Sequence, residues 1–156
     1  LLFVRPGELR KMEWADVDLE AGEWRYLVTK TKTNHLVPLP RQAIAILKSV
    51  HPFTGHSKYV FQSLRSPQVC MSENTVNAAL RRLGFTGDEI VAHGFRAMAR
   101  TMLHEVLGFQ PDAIEAQLAH KVPDRLGSAY NRTKFLAERR KMMQAWADYL
   151  DDLKNG

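Results

Sequence analysis

Cysteine is nearly missing from this 156-residue chain: Cys70 stands alone, so no intramolecular disulfide and no cysteine-based zinc cluster can form. A single small thiol suits a reducing compartment and a packing role. No apolar run approaches the roughly 20 residues that span a bilayer, and no signal peptide is visible, which argues against a helical membrane protein. His51 and His56 have no partner at metal-ligand spacing and read as surface loop histidines. Internal repeats and low-complexity tracts are also lacking. Acidic residues are in deficit, 17 against 22 lysines and arginines, giving a formal charge of +5 that suits a polyanionic partner. With 45% hydrophobic residues the chain has enough apolar mass for one domain with a substantial core. It starts Leu1-Leu2-Phe3-Val4, with almost no lead before Arg5, and reads as the interior of a longer protein.

Periodicity places the elements. A Pro-Gly pair followed by helix formers predicts a helix starting at about Pro6, with Leu2, Phe3, Leu9 and Met12 available for burial. Arg5 falls at its N-terminus, and Glu8 is close enough to orient the guanidinium. Trp24, Tyr26 and Val28 then alternate with Arg25, Leu27 and Thr29, and Leu36, Val37 and Leu39 follow as a second strand. Val17-Asp18-Leu19 supplies a third, making a small antiparallel sheet with Lys30 and Lys32 near its tip. A helix is expected over Arg41–Val50, and a long connection over His51–Ser72 with one buried piece at Tyr59-Val60-Phe61. Ser72 can cap a helix to about Leu83, with Val76, Leu80 and Leu83 inward and Arg81 and Arg82 outward. From His93 to Leu107 the pattern sets Phe95, Met98, Ala99, Met102 and Val106 on one side, and His93, Arg96, Arg100 and His104 on a polar stripe. Pro111 opens another helix through Leu118, with His120 at its C-terminal end. Tyr130 falls in a short helical stretch after Pro123, and Thr133 starts the last helix. The apolar residues of that helix, from Phe135 to Leu153, share a sector of about 140° facing either its own core or a neighbouring subunit.

Chemistry gathers around His93-Gly94-Phe95-Arg96. Residues three apart share a helix face, so both side chains can reach one phosphate group. Arginine offers a planar fork of donors for two phosphate oxygens, and a nearby tyrosine could supply a nucleophilic oxygen. Tyr26, Tyr59 and Tyr149 all have packing explanations, whereas Tyr130 has none as good. Arg81, Arg82 and Arg100, with Lys32, are candidate DNA backbone contacts.

Taken in order, these residues resemble the catalytic domain of the tyrosine recombinases, above all the integrases of phages, satellite phages and genomic islands. The resemblance runs almost end to end, through Arg5-Pro6-Gly7-Glu8-Leu9 with Trp14, Lys30 before His35-Leu36-Val37-Pro38-Leu39, and His93-Gly94-Phe95-Arg96. It continues through Leu118-Ala119-His120 and Tyr130-Asn131-Arg132 into Arg139-Arg140 and Met142-Met143-Gln144-Ala145-Trp146. It implies an α+β domain over residues 1–156, mainly helical with a three-stranded antiparallel sheet, in a longer integrase whose N-terminal DNA-binding domain is not part of this sequence. The implied catalytic set is Arg5, Lys30, His93, Arg96, His120 and Tyr130, with Glu8 in support. Tyr130 would form a 3′-phosphotyrosine, Arg5 and Arg96 would clamp the phosphate oxygens, and Lys30, or Lys32 two residues on, would protonate the leaving 5′-oxygen.

No cofactor, metal or ATP is implied, because the covalent link stores the bond energy. The implied partners are double-stranded DNA attachment sites, three further copies in a homotetramer, and accessory DNA-bending proteins, all in a bacterial cytoplasm. A type IB topoisomerase of related mechanism, or a non-catalytic DNA-binding module of the same fold, would share many of these features.

Overall fold

The structure, a computed structural model, describes residues 1–120 and 135–156. Tyr130, Arg132 and the expected start of the last helix lie outside the described residues.

Pro6 fits the first position of α1 (Pro6–Leu9), where no backbone N–H is needed, and Arg5 is the extended N-cap before it. The expected sheet forms from β1 (Val17–Asp18), β2 (Glu23–Leu27) and β3 (Asn34–Pro38), antiparallel in the order β1-β2-β3. Trp24 pairs with Val37 and Tyr26 with His35, so the alternating apolar residues share one buried face. The β2–β3 loop closes through Val28 N–H to Thr33 O (2.9 Å) and Lys32 N–H to Val28 O (2.8 Å), with Lys32 in a left-handed conformation (φ 53°). Both Lys30 and Lys32 are exposed on it.

The helix α2 (Arg41–Thr54) runs past its expected end at Val50, carrying Pro52 in its last turn. The connection after it holds a second antiparallel hairpin, β4 (Gln62–Ser63) and β5 (Ser66–Cys70), that sequence reading missed. Val60 is buried as expected. Ser72 does not cap α3 (Thr75–Arg82). Its hydroxyl instead lies 2.9 Å from the Thr75 hydroxyl, Asn74 occupies the N-cap, and Leu83 is exposed.

The last three helices are α4 (Gly94–Glu105), α5 (Pro111–Gln117) and α6 (Leu136–Asn155). On α4 the buried residues are Arg96, Ala99 and Leu103, while Phe95, Met98 and Val106 are exposed. The expected apolar side is therefore not the buried one; Arg96 from the polar stripe is.

Two cores lie side by side. One gathers Ala99, Leu103, Ile114, Leu118, Met142, Met143 and Trp146 from α4, α5 and α6 around Phe3. The other gathers Trp24, Val37, Leu39 and Leu47 from the sheet and α2, with Met12 and Val60, around Val4. Each fully buried large side chain contributes about 1.5–3 kcal/mol. Phe3 and Val4 thus stitch the helical half to the sheet half, and the next residue, Arg5, is set at the seam between them. The apolar face of α6 is used within its own chain, except that Leu153 near its end is exposed. No helix among the described residues is long and apolar enough to cross a membrane.

Candidate active site

Arg96 is 7% exposed, held by α4 against the seam. It donates from Nη1 to the Phe3 carbonyl (3.1 Å) and from Nη2 to the Leu118 carbonyl, with Nη2 also 3.1 Å from His120 Nε2. Its neighbours are neutral acceptors, and it has no salt bridge among the described residues. Burial, and next the charge of Arg5, hold the Arg96 guanidinium down at about 10. Two guanidiniums close enough to feel each other, one of them buried, favour a shared anion.

The backbone around Arg96 is held in unusual conformations. Phe3, which accepts from Arg96, has φ 35°, and Ala119, which separates Leu118 from His120, has φ 52°. Left-handed conformations in residues with a Cβ cost free energy and concentrate where the surroundings dictate geometry. Here they aim the Phe3 carbonyl and the His120 ring at one guanidinium.

Glu8 is buried, as a supporting residue should be, but its partner differs from the expected one. Its carboxylate accepts from the Thr29 backbone N–H (3.2 Å) and the Thr29 hydroxyl (3.3 Å), and no ion pair joins it to Arg5. Because α1 is a single turn that points Glu8 at the end of β2, the carboxylate anchors the residue that precedes Lys30.

His93 is the exposed N-cap of α4, one turn before Arg96. Arg82 is exposed, whereas Arg81 spends its guanidinium on the carbonyls of Phe85 (2.7 Å) and Ile90, stapling the loop after α3. Arg100 pairs with Glu115 at 2.6 Å. Tyr130, the expected nucleophile, lies outside the described residues.

Three residues of the neighbourhood had only their place in a motif, or nothing, to signal them. Buried Arg139 on α6 donates to Gln117 Oε1 (2.9 Å) and to the Leu36 carbonyl, and burial holds it down at about 10. His35 sits 3.1 Å from the Gln117 carbonyl, and burial first, then the charge of Arg139, lowers it to about 4. Its ring is therefore neutral at pH 7. Glu115 on α5 meets both Arg100 and His120. Tyr26 lies in the same field: burial, then Glu8, raises its phenol, and Arg5, Arg96 and Arg139 only partly oppose them. Stacked on Trp24, it is a structural phenol.

A buried arginine, a second arginine beside it and a histidine within reach, at the junction of a small sheet and a helical bundle, define the phosphate-binding class of site used in phosphoryl transfer. The chain belongs to the phage integrase family, whose model matches residues 3–136. It is 42% identical to prophage integrase IntA of Escherichia coli K12 across its whole length, covering 38% of that protein. It is 41% identical to the integrase of Enterobacteria phage P4, with 99% of this chain and 39% of the phage protein aligned. The chain thus spans about two fifths of the length of the curated relatives it matches. Its fold matches the crystal structure of XerA recombinase with a TM-score of 0.64 at 21% identity, over 92% of this chain and 53% of that one. The resemblance read from the separated motifs is borne out for family and for fold.

Proposed function

We propose that this chain is the catalytic domain of a site-specific tyrosine recombinase that cuts and rejoins DNA through a 3′-phosphotyrosine. The observation that carries the reading is the Arg5–Arg96 pair, one guanidinium buried and the other partly so, with hydrogen-bond acceptors but no carboxylate to neutralise Arg96. A scissile phosphate supplies the charge such a pair favours. As attack proceeds, negative charge builds on the non-bridging oxygens, and donors fixed in advance stabilise it without reorganising.

Tyr130 attacks phosphorus as its proton leaves, the bond to the 5′-oxygen breaks, and Lys30 gives that oxygen its proton. His120 Nε2, beside Arg96, and His93, at the start of the same helix, are in position to hydrogen-bond the phosphate or move protons. Rejoining runs the same steps backwards, with a 5′-hydroxyl as nucleophile. The phosphodiester is conserved in the tyrosyl link, so neither ATP nor a metal is needed. The DNA substrate is a pair of attachment sites, and a homotetramer, helped by DNA-bending proteins, acts on them in the bacterial cytoplasm. The remaining length of such an integrase supplies the N-terminal DNA-binding domain.

On a nicked suicide duplex, where the short 5′-hydroxyl fragment diffuses away, the full chain should accumulate a covalent protein–DNA adduct in EDTA and without nucleotide. Failure to form any adduct on DNA carrying its attachment site, while binding that DNA, would favour a non-catalytic module. Relaxation of supercoils without strand exchange would favour a topoisomerase.

A further inference from the structure

The end of α5 is a Schellman-type stop. His120 N–H bonds the Glu115 carbonyl (3.0 Å) and Ala119 N–H bonds the Ala116 carbonyl (3.2 Å), with Ala119 left-handed between them. This fold-back carries the residue after the left-handed position over the residue five before it. An apolar contact usually fills that place. Here it is filled by an ion pair, with Glu115 Oε2 2.6 Å from His120 Nδ1. The other carboxylate oxygen, Oε1, accepts from Arg100 Nε, also at 2.6 Å.

We propose that Glu115 is a positioning residue that fixes His120 with Nε2 as its working nitrogen, and that Arg100 in turn fixes Glu115. The inference rests on the recombinase reading for its catalytic consequence. Burial alone would raise the Glu115 carboxyl, but the hydrogen bonds from His120 and Arg100 hold it below its ordinary value, so it is ionised and can only accept. The nitrogen facing it must therefore carry a hydrogen. In the neutral ring that leaves Nε2 as a bare lone pair, which is what Arg96 Nη2 needs at 3.1 Å. The two contacts agree on one tautomer, Nδ1–H, the reverse of the one an unconstrained imidazole favours. A carboxylate behind a histidine sets ring orientation and tautomer in many catalytic sites. The glutamate is 23% and the histidine 41% exposed at the side chain, so without the carboxylate the ring has room to turn.

The test uses the full chain with 15N-labelled histidine. In the wild type, the ring nitrogens of neutral His120 should report Nδ1–H; in Glu115→Ala they should shift towards Nε2–H. The rate of adduct formation on suicide DNA should fall about 10- to 100-fold with DNA affinity nearly unchanged. Glu115→Gln, whose amide oxygen still accepts from Nδ1–H, should restore the tautomer and most of the rate. An unchanged tautomer in Glu115→Ala, or a wild-type rate, overturns the proposal. Should Glu115→Ala fail to fold, Arg100→Ala carries the test: mixed tautomers with a smaller rate loss support the proposal, and wild-type behaviour in both readouts overturns it. A wild type that shows Nδ1–H yet never forms an adduct would sink the recombinase reading and leave the Glu115–His120 link standing.

Discussion

Replacing Arg139 by methionine should destabilise the domain far more than the same change at Arg140, although the two are adjacent on α6. Arg139 is 6% exposed and satisfies two acceptors from other elements, Gln117 Oε1 on α5 and the Leu36 carbonyl on β3. Methionine keeps most of the stem but leaves both oxygens without their donor. An orphaned buried acceptor costs about 1–3 kcal/mol, and two cost roughly 2–6. Part is regained because the guanidinium no longer has to be desolvated, a cost visible in its depression to about 10. A net loss of about 2–3 kcal/mol follows, or roughly 5–10 °C in Tm for a domain of this size.

Arg140 is 42% exposed at the side chain, and its partner Glu23 keeps a second arginine, Arg25, when it goes. Its loss should cost under about 1 kcal/mol. Thermal unfolding of both variants followed by tryptophan fluorescence makes the comparison. Equal, small shifts would refute the claim that Arg139 pins α6 to the sheet beside the site.

Acid sensitivity should trace to His35. Its folded value lies near 4, below the ordinary 6.5, so the folded state resists the proton that the unfolded state accepts. That contribution is intact above pH 6.5 and is lost as pH falls from 6.5 towards 4, by at most about 3 kcal/mol. Urea titrations across that window should show a shallower pH slope for His35→Gln than for wild type, and equal slopes would contradict the assignment. Ala119→Gly should raise stability by about 0.5–1 kcal/mol, because glycine removes the left-handed penalty at φ 52°; a lower Tm would show that the Cβ packs usefully there. Lys30→Ala should slow cleavage by roughly 10²-fold and recover on a 5′-bridging phosphorothiolate, whose sulfur leaves without a proton. If Lys32→Ala behaves that way and Lys30→Ala does not, the general acid is Lys32.

What sequence could show depended on whether function and packing asked for the same pattern. The β2–β3 hairpin was legible because Trp24, Tyr26, Val37 and Leu39 are apolar for the ordinary reason that they are buried. The β4–β5 hairpin was not, because Gln62, Ser63, Ser66, Pro67 and Gln68 form strands with little burial and no alternation to read. Pro52 suggested an end to α2, yet it sits in the last turn, where a missing N–H and a crowded ring disturb little of the helix.

The α4 helix failed for a more telling reason. Its hydrophobic pattern points Phe95 and Met98 inward, but the structure buries Arg96 and leaves those two partly exposed. A charged residue on the buried face breaks local consistency, as functional sites do. Within the site, Arg5, Arg96 and His120 were found by motif and are brought together by the fold. Glu8 was found with the wrong partner, since an i, i+3 spacing does not reveal that Thr29 would compete for its carboxylate. Glu115 went unnoticed because its bond to His120 depends on the left-handed turn at Ala119, and alanine gives no hint of that turn.

The central claim is that Tyr130, and no other tyrosine, takes the DNA. The other three are accounted for by packing: Tyr26 stacks on Trp24, Tyr149 on Trp146, and Tyr59 lies beside Lys58 next to buried Val60. The full chain carrying Tyr130→Phe, which loses one hydroxyl, should be mixed with nicked suicide DNA beside the wild type, and any adduct digested and mapped. The account predicts a wild-type adduct on the peptide containing Tyr130, and none from Tyr130→Phe despite nearly normal DNA binding. An adduct that survives the substitution, or one mapped to Tyr26, Tyr59 or Tyr149, would contradict it.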